Sequence, residues 1–443
     1  MNILHRPVAE LQNICATQKK QEGAVYRRTR LYCSAPCDGG ILLFHTLTGM
    51  LLLLESEQEW DTCRDALIEN WFLVPEEFDE CAFADKTAQI AALLAKTQGN
   101  KGKKNFTILT TTDCNARCYY CYEAGIHRVS MTEQTAQQAA DYIIRAAAGA
   151  AVELTWFGGE PLCNPGVIDV ICQKLRQSGV AYDSRMISNG YFLDQFMLAK
   201  AVDLWYLKEV QITLDGTAET YDRVKAYQNV RGSAYERVMG NIAGALSAGV
   251  RVQIRLNVGA QNAGELISLA DELARRFPRR QGLFVYASLL GDFKGHGGRF
   301  SARDKIGEGY TRLREKLQAL GFGASDGPLR YDLKINACMA DNDNCEIILP
   351  DGRLAKCDHV LEKECHGSVY TEERDEAILA SWCERVRLPA CAGCPLYPRC
   401  IMLRKCAWVN EECPEWLRTI RINRLRRQMI EAYNTWKESC SCD

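Results

Sequence analysis

Between Phe106 and about Gly291 six apolar strand candidates alternate with amphipathic helical stretches, and this alternation constrains the fold more than any other feature of the chain. The strand candidates are Phe106–Thr110, Val152–Trp156, Ser184–Ser188, Val210–Leu214, Val250–Ile254 and Gly282–Tyr286; helical patterns such as Glu133–Ala148 and Pro165–Ser178 fill the gaps. Strands that recur with intervening helices build a parallel sheet with helices on its outer face. Six such units suit a partial (β/α)6 TIM-type barrel better than a closed eight-stranded one, which puts reactive side chains at the C-terminal ends of the strands. The fold class is therefore α/β for residues 106–303.

The flanking regions read differently. Residues 1–100 look like a small α+β unit, with Gly40–Phe44 and Met50–Leu54 as a hairpin about a Thr-Gly turn and a helical stretch from Trp60 to Trp71. The basic, glycine-bearing segment 98–104 is expected to be a linker, and 292–303 a mobile loop ahead of a bridging segment, 304–335. Residues 336–415 are cysteine-dense and irregular. The tail 416–443 carries a basic amphipathic helix over Trp416–Glu438, with Ile420, Leu425, Ile430 and Trp436 available to pack.

The chain has 443 residues with 47% hydrophobic content, enough for a large core in two or three domains. Its 54 basic residues face 56 acidic ones, so no general field draws it to nucleic acid. The start of the chain lacks the apolar run of a secretion signal, and Ile41–Leu54 is too short and broken to span a bilayer, so a cytoplasmic protein without membrane attachment is expected. Twenty-two cysteines then call for an explanation other than disulfides, because a reducing compartment does not sustain a disulfide framework. None lies between Cys172 and Cys338, whereas twelve lie from Cys338 onward, a grouping that favours metal or cluster ligation.

Directly after the first strand comes Thr-Thr-Asp-Cys-Asn-Ala-Arg-Cys-Tyr-Tyr-Cys-Tyr, which sets Cys114, Cys118 and Cys121 in a C-x3-C-x2-C pattern. Three thiolates on one short loop hold three irons of a cubane and leave the fourth open to chemistry. With Tyr120 ahead of the last cysteine, and with Gly158-Gly159-Glu160-Pro161 ending the second strand, the chain resembles the radical S-adenosylmethionine (radical SAM) superfamily. The resemblance implies that the amino and carboxylate groups of SAM chelate the open iron, with the glycine-rich strand end letting backbone come close. It carries further residues over: Tyr120 near adenine, Ser188-Asn189-Gly190 in place of a Thr-Asn-Gly element, and Leu214-Asp215-Gly216 as a Leu-Asp-Gly element. Arg255 is a candidate for the SAM carboxylate or ribose.

Cys338 with Gly352-x4-Cys357, and Cys391-x2-Cys394-x5-Cys400, resemble the SPASM domain, a twin-cluster extension of radical SAM enzymes that modify peptides. By analogy one auxiliary [4Fe–4S] cluster uses Cys338, Cys345, Cys357 and Cys406, and the other Cys391, Cys394, Cys400 and Cys413. The family's next cysteine would fall at position 404, which is Arg, so Cys406 departs from the pattern. Without Cys406 the first auxiliary cluster would have an iron free for a substrate thiolate, as suits thioether formation. The N-terminal unit resembles, in organisation, the winged-helix-like leader-recognition element of peptide maturases, which binds its leader as an added strand. The implied cofactors are three [4Fe–4S] clusters and SAM, and the implied partners are a precursor peptide with a leader and a flavodoxin- or ferredoxin-like electron donor.

Other readings stand beside these. The triplet could be a zinc site, although structural zinc takes four ligands, usually as two pairs, and that leaves Gly-Gly-Glu-Pro unexplained. A zinc ribbon of Cys391 and Cys394 with Cys338 and Cys357 is a sharper rival, because thiolate tetrads suit zinc and iron–sulfur alike. Asp358, beside Cys357, matches the base of anaerobic sulfatase-maturating enzymes or is a loop cap. The expected function is peptide maturation by a cysteine thioether; formylglycine formation, carbon–carbon cross-linking, epimerisation and a zinc-bearing binding module are the alternatives.

Overall fold

Parallel strands need helical crossovers and antiparallel strands only tight turns; one compact unit of the chain is built on the antiparallel device, and the other on parallel strands extended at one edge by antiparallel ones. The computed structural model describes the chain except at residues 9–10, 13–14, 16, 99–102, 231, 260–261, 291–302, 323–325, 334–337, 360–363, 401, 406–412, 414 and 441–443. One unit gathers Met1–Asn100, Ser325–Ala337 and Glu384–Asp443; the other gathers Lys101–Ala324 and Cys338–Cys383. Most of the expected linker and nearly all of the 292–303 loop lie outside the described residues.

The first unit contains strands β1 (Asn2–His5), β2 (Tyr26–Arg28), β3 (Tyr32–Cys37), β4 (Gly40–His45), β5 (Leu51–Leu54) and β6 (Leu73–Pro75). Four of them form an antiparallel sheet in the order β1-β5-β4-β3, and β2 pairs with β6. The anticipated hairpin pairs Ile41 with Leu54 and Phe44 with Leu51. Gly49 in its turn has φ +77° and lies where a Cβ would meet the Tyr331 carbonyl oxygen at 1.9 Å, so no larger residue fits. The helix Glu415–Cys440 buries Leu425, Met429 and Tyr433, spaced by four, with Cys33, Ala35, Leu42 and Phe44 of the sheet. Several of its basic residues are partnered: Arg426 Nε donates to the Ser34 carbonyl at 3.0 Å, and Arg427 Nε reaches the buried Asp326 carboxylate at 2.6 Å.

The second unit carries the six expected strands: β7 (Lys104–Thr111), β8 (Val152–Gly158), β9 (Tyr182–Ser188), β10 (Leu207–Leu214), β11 (Arg251–Val258) and β12 (Leu283–Leu289). They pair in sequence order, each parallel to the next. Period-two alternation sorts their side chains. In β11, Val252, Ile254, Leu256 and Val258 are fully buried in the core shared with the helices, while Arg255 and Asn257 belong to the opposite face. Thr132 caps the helix Glu133–Ala147 by accepting from the Thr135 amide at 3.1 Å, and Asp194 caps Gln195–Asp203 in the same way.

The cysteine-rich segment is less irregular than its composition suggests. Strand β13 (Cys345–Ile348) pairs parallel with β7, and β14 (Arg353–Ala355) and β15 (Gly367–Ser368) continue antiparallel, so the sheet has nine strands. Residues 338–383 therefore join the second unit through a strand pairing, whereas 384–443 join the first through the apolar face of the terminal helix. No helix among the described residues is long and apolar enough to cross a membrane.

Candidate functional site

The cysteine loop, Gly158–Pro161, Ser188–Asn189 and Asp215 lie at, or just beyond, the C-terminal ends of the parallel strands β7, β8, β9 and β10. The loop after β7 carries the three cysteines and is tied down from three sides. The Gly159 and Glu160 amides donate to the Thr111 and Asp113 carbonyls at 3.0 and 2.9 Å; the Arg117 amide donates to the Lys225 carbonyl at 2.7 Å, and the Gln228 amide to that of Asn115 at 2.8 Å. This contact explains the paired glycines. A Cβ on Gly158, whose φ is +122°, would lie 2.2 Å from the Thr111 oxygen, and one on Gly159 would lie 2.4 Å from that of Asp113. In the direction a side chain would take, backbone of the cysteine loop itself makes the close approach.

At the Cys114 sulfur the Ala116 amide and Asn189 Nδ2 approach to 3.4 and 3.8 Å. Burial pushes this thiol up to about 12, with the Glu160 charge adding to the effect, and burial raises Cys121 too.

Glu160 is fully buried, and its carboxylate collects three donors: the Leu162 amide at 3.1 Å, Ser188 Oγ at 2.9 Å and the Asn189 amide at 2.8 Å. Burial raises its pKa to about 7 against the pull of these hydrogen bonds. Pro161 opens a short 3-10 turn and its carbonyl accepts from Thr110 Oγ1 at 3.0 Å. Thus Glu160 and the Ser188-Asn189 element, noted separately in the sequence, form one network that joins the ends of β8 and β9.

Asp215, after β10, is the second hub. The Tyr120 hydroxyl lies 2.8 and 2.9 Å from its two oxygens, Asn257 Nδ2 donates at 3.1 Å and Lys225 Nζ pairs at 3.1 Å. Lys225 and Asp215 are only 5% and 4% exposed at their side chains. Burial is the largest single influence and would lower the ammonium's pKa, but the Asp215 carboxylate together with Tyr120, Cys118 and Tyr221 outweighs it and leaves Lys225 raised and charged. Neither Lys225 nor Asn257 stood out in the sequence. The available signal was weak: a lysine closing the helix Ala218–Lys225 just after Leu-Asp-Gly, and an asparagine on the polar side of β11.

Arg255 sits two residues before Asn257, and its Nε is buried with no hydrogen-bond partner, as is the Asn257 side-chain oxygen. Asp358 follows Cys357, with an oxygen 4.0 Å from that sulfur and 3.9 Å from His359 Nε2. The His359 ring meets Tyr122 edge to face at 4.5 Å, which brings the Asp358 turn to the residue after Cys121.

The remaining cysteines divide. In the first unit Cys391, Cys394, Cys400 and Cys413 are neighbours: burial raises the Cys391 thiol, and the charges of the other three add to it. Arg421 donates to the Cys400 sulfur. In the second unit Cys345 has Cys338 within electrostatic reach. Cys406 lies outside the described residues.

Among the described residues no three of His, Cys, Asp and Glu converge on one point as a single ion requires. A cubane asks for one thiolate on each iron, so its fit rests on the donor set. Three thiols on one docked loop, with N–H groups already directed at a sulfur, match that demand for a [4Fe–4S] cluster with an open iron.

This arrangement sets thiol donors at the carboxyl ends of a parallel α/β sheet. Residues 108–273, within the second unit, match the family model described as the radical SAM superfamily. Such a domain implies one [4Fe–4S] cluster and SAM. GTP 3′,8-cyclase 1 of Pseudomonas aeruginosa is 28% identical over 234 residues, covering 50% of this chain and 66% of that protein, just under two thirds. Among solved structures, anSMEcpe with bound AdoMet superposes with a TM-score of 0.50 at 15% identity, over 63% of this chain and 80% of that one, a likeness of fold. SuiB of Streptococcus suis gives 0.49 at 12% identity over 83% and 93%.

Proposed function

We propose that this enzyme is a radical SAM peptide maturase that abstracts a hydrogen atom from a ribosomally made precursor peptide and closes a cross-link, a cysteine thioether being the first choice. The observation that carries the reading is the docking of the Cys114–Cys121 loop onto Gly158–Glu160, which sets three thiols beside the Glu160, Asn189 and Asp215 networks. When bound, the cluster and SAM supply one-electron reductive cleavage to a 5′-deoxyadenosyl radical, which takes hydrogen from an unactivated C–H bond.

The chain's own part is positioning. Cys114, Cys118 and Cys121 anchor three irons. Glu160, Ser188 and Asn189 fix the strand ends against the loop, and the Lys225–Asp215 pair holds the Tyr120 hydroxyl beside it. Arg255 presents an unsatisfied buried N–H to a bound carboxylate or carbonyl. Asp358 is the candidate base that takes a substrate proton.

The peptide substrate is inferred from the cysteine-rich segments, which offer two further donor sets: Cys338, Cys345 and Cys357 with Cys406, and Cys391, Cys394, Cys400 and Cys413. In the first unit β1 ends the sheet as a short strand that an extended leader could lengthen. The electron donor is a flavodoxin- or ferredoxin-like protein.

The test is anaerobic incubation of the reconstituted enzyme with SAM, dithionite and a cysteine-containing candidate peptide, followed by mass spectrometry. A loss of two hydrogens together with 5′-deoxyadenosine supports ring closure. Deoxyadenosine with an unchanged peptide mass redirects the reading to epimerisation, and a peptide aldehyde redirects it to formylglycine formation.

A further inference from the structure

The basic terminal helix is a feature that the proposed function leaves unused. Its arginines are placed individually: Arg424 donates to the Asp326 carbonyl at 2.8 Å, Arg426 to that of Ser34, and Arg427 to the Asp326 carboxylate. Each has found an oxygen. Arg421 instead turns its guanidinium to the sulfur of Cys400, and among the described residues no carboxylate pairs with it.

A guanidinium is a poor match for a neutral thiol, which is a weak acceptor. It is a good match for a sulfur that carries negative charge. Cys400 is one of the four neighbouring cysteines of this unit, and with Cys394 it packs against the apolar cluster that includes Leu396, Leu425 and Tyr433, a surround in which a nearby charge acts strongly. Hydrogen bonds to cluster sulfurs and local charge are among the factors that set an iron–sulfur potential.

We infer that Arg421 is a tuning residue, whose positive charge and N–H at the Cys400 sulfur raise the reduction potential of an auxiliary cluster held by Cys391, Cys394, Cys400 and Cys413. This rests on the auxiliary-cluster part of the proposed function. The physical sense is direct: the guanidinium favours the state with one more electron, so its loss disfavours reduction. A cluster tuned upward is the better acceptor for an electron leaving the substrate, which gives the basic helix a role beyond packing.

The experiment is an anaerobic redox titration followed by electron paramagnetic resonance, in full-length protein with Cys114, Cys118 and Cys121 replaced by Ala so that the SAM cluster is absent. The relevant wave is the one that Cys391→Ala abolishes. Arg421→Gln is expected to lower its midpoint by about 59 mV, a tenfold change in the one-electron equilibrium. Arg421→Lys, which keeps the charge, is expected to recover more than half of that shift with the same iron content. An unchanged midpoint in Arg421→Gln, with the wave still present, overturns the inference alone. A titration in which Cys391→Ala removes no wave overturns the cluster assignment on which it stands.

Discussion

Lys225→Met tests the Asp215 hub most sharply. The ammonium lies 3.1 Å from the Asp215 carboxylate, and both side chains are about 95% withdrawn from water. Removing one partner of a buried pair leaves the other charge uncompensated and costs about 3–5 kcal/mol. The lower end applies here, about 3 kcal/mol, because Tyr120 and Asn257 still donate to the carboxylate. Met nearly matches the volume of Lys, so cavity formation adds little. The double variant Asp215→Asn/Lys225→Met removes both charges and should recover about 2 kcal/mol, since apolar replacement of an entire buried pair is often close to neutral. Urea denaturation of the cluster-free protein under reductant, followed by tryptophan fluorescence, reads both values; Trp156 and Trp205 are fully buried in this unit. A single variant within about 1 kcal/mol of wild type, or a double variant no more stable than the single, would refute the reasoning.

Three further outcomes follow from other parts of the chain. Gly158→Ala forces a Cβ to within 2.2 Å of the Thr111 oxygen at positive φ, so it should displace the cysteine loop at a cost of about 1–3 kcal/mol and lower the iron bound per chain; unchanged iron content would count against the docking argument. Burial raises Glu160 above its unfolded value of 4.5 to about 7, so its contribution to stability is full below pH 4.5 and is lost as pH rises through 7, a change of about 3 kcal/mol. Glu160→Gln should flatten that part of the cluster-free protein's stability between pH 5 and pH 8, and equal slopes in the two proteins would show that Glu160 is not its source. Met429→Ala opens a cavity between the terminal helix and the N-terminal sheet and should cost about 2–5 kcal/mol, read as a loss of hydrogen-exchange protection in 32–54 and 415–440.

The parallel strands could be read in the sequence because each buries one face completely; Val252, Ile254, Leu256 and Val258 carry that signal. The terminal helix was legible as an amphipathic helix, but of Ile420, Leu425, Ile430 and Trp436 only Leu425 is buried, and Met429 and Tyr433 complete the packed face. Strands β13 to β15 were not: each is four residues or fewer, set among cysteines and turns, with β13 pairing on the edge of β7 and β14 and β15 following in turn. That is a tertiary cause with no local trace. The cysteine loop and Gly-Gly-Glu-Pro were conspicuous as motifs, but their mutual docking appears only when the backbone of Thr111–Asp113 is seen against the glycines. Lys225 was hidden because a lysine closing a helix is ordinarily solvated, and only the burial of Asp215 makes it a partner.

The central claim is that the Cys114–Cys121 loop holds a cluster at which SAM is cleaved. Its most direct measurement is 5′-deoxyadenosine formed from SAM and dithionite by the anaerobically reconstituted wild-type enzyme, compared with Cys118→Ala at equal protein concentration. The account predicts deoxyadenosine from the wild type, none above background from the variant, and about four irons fewer per chain. Deoxyadenosine at equal rates from both proteins, or none from a wild-type enzyme carrying its full complement of iron, would contradict it.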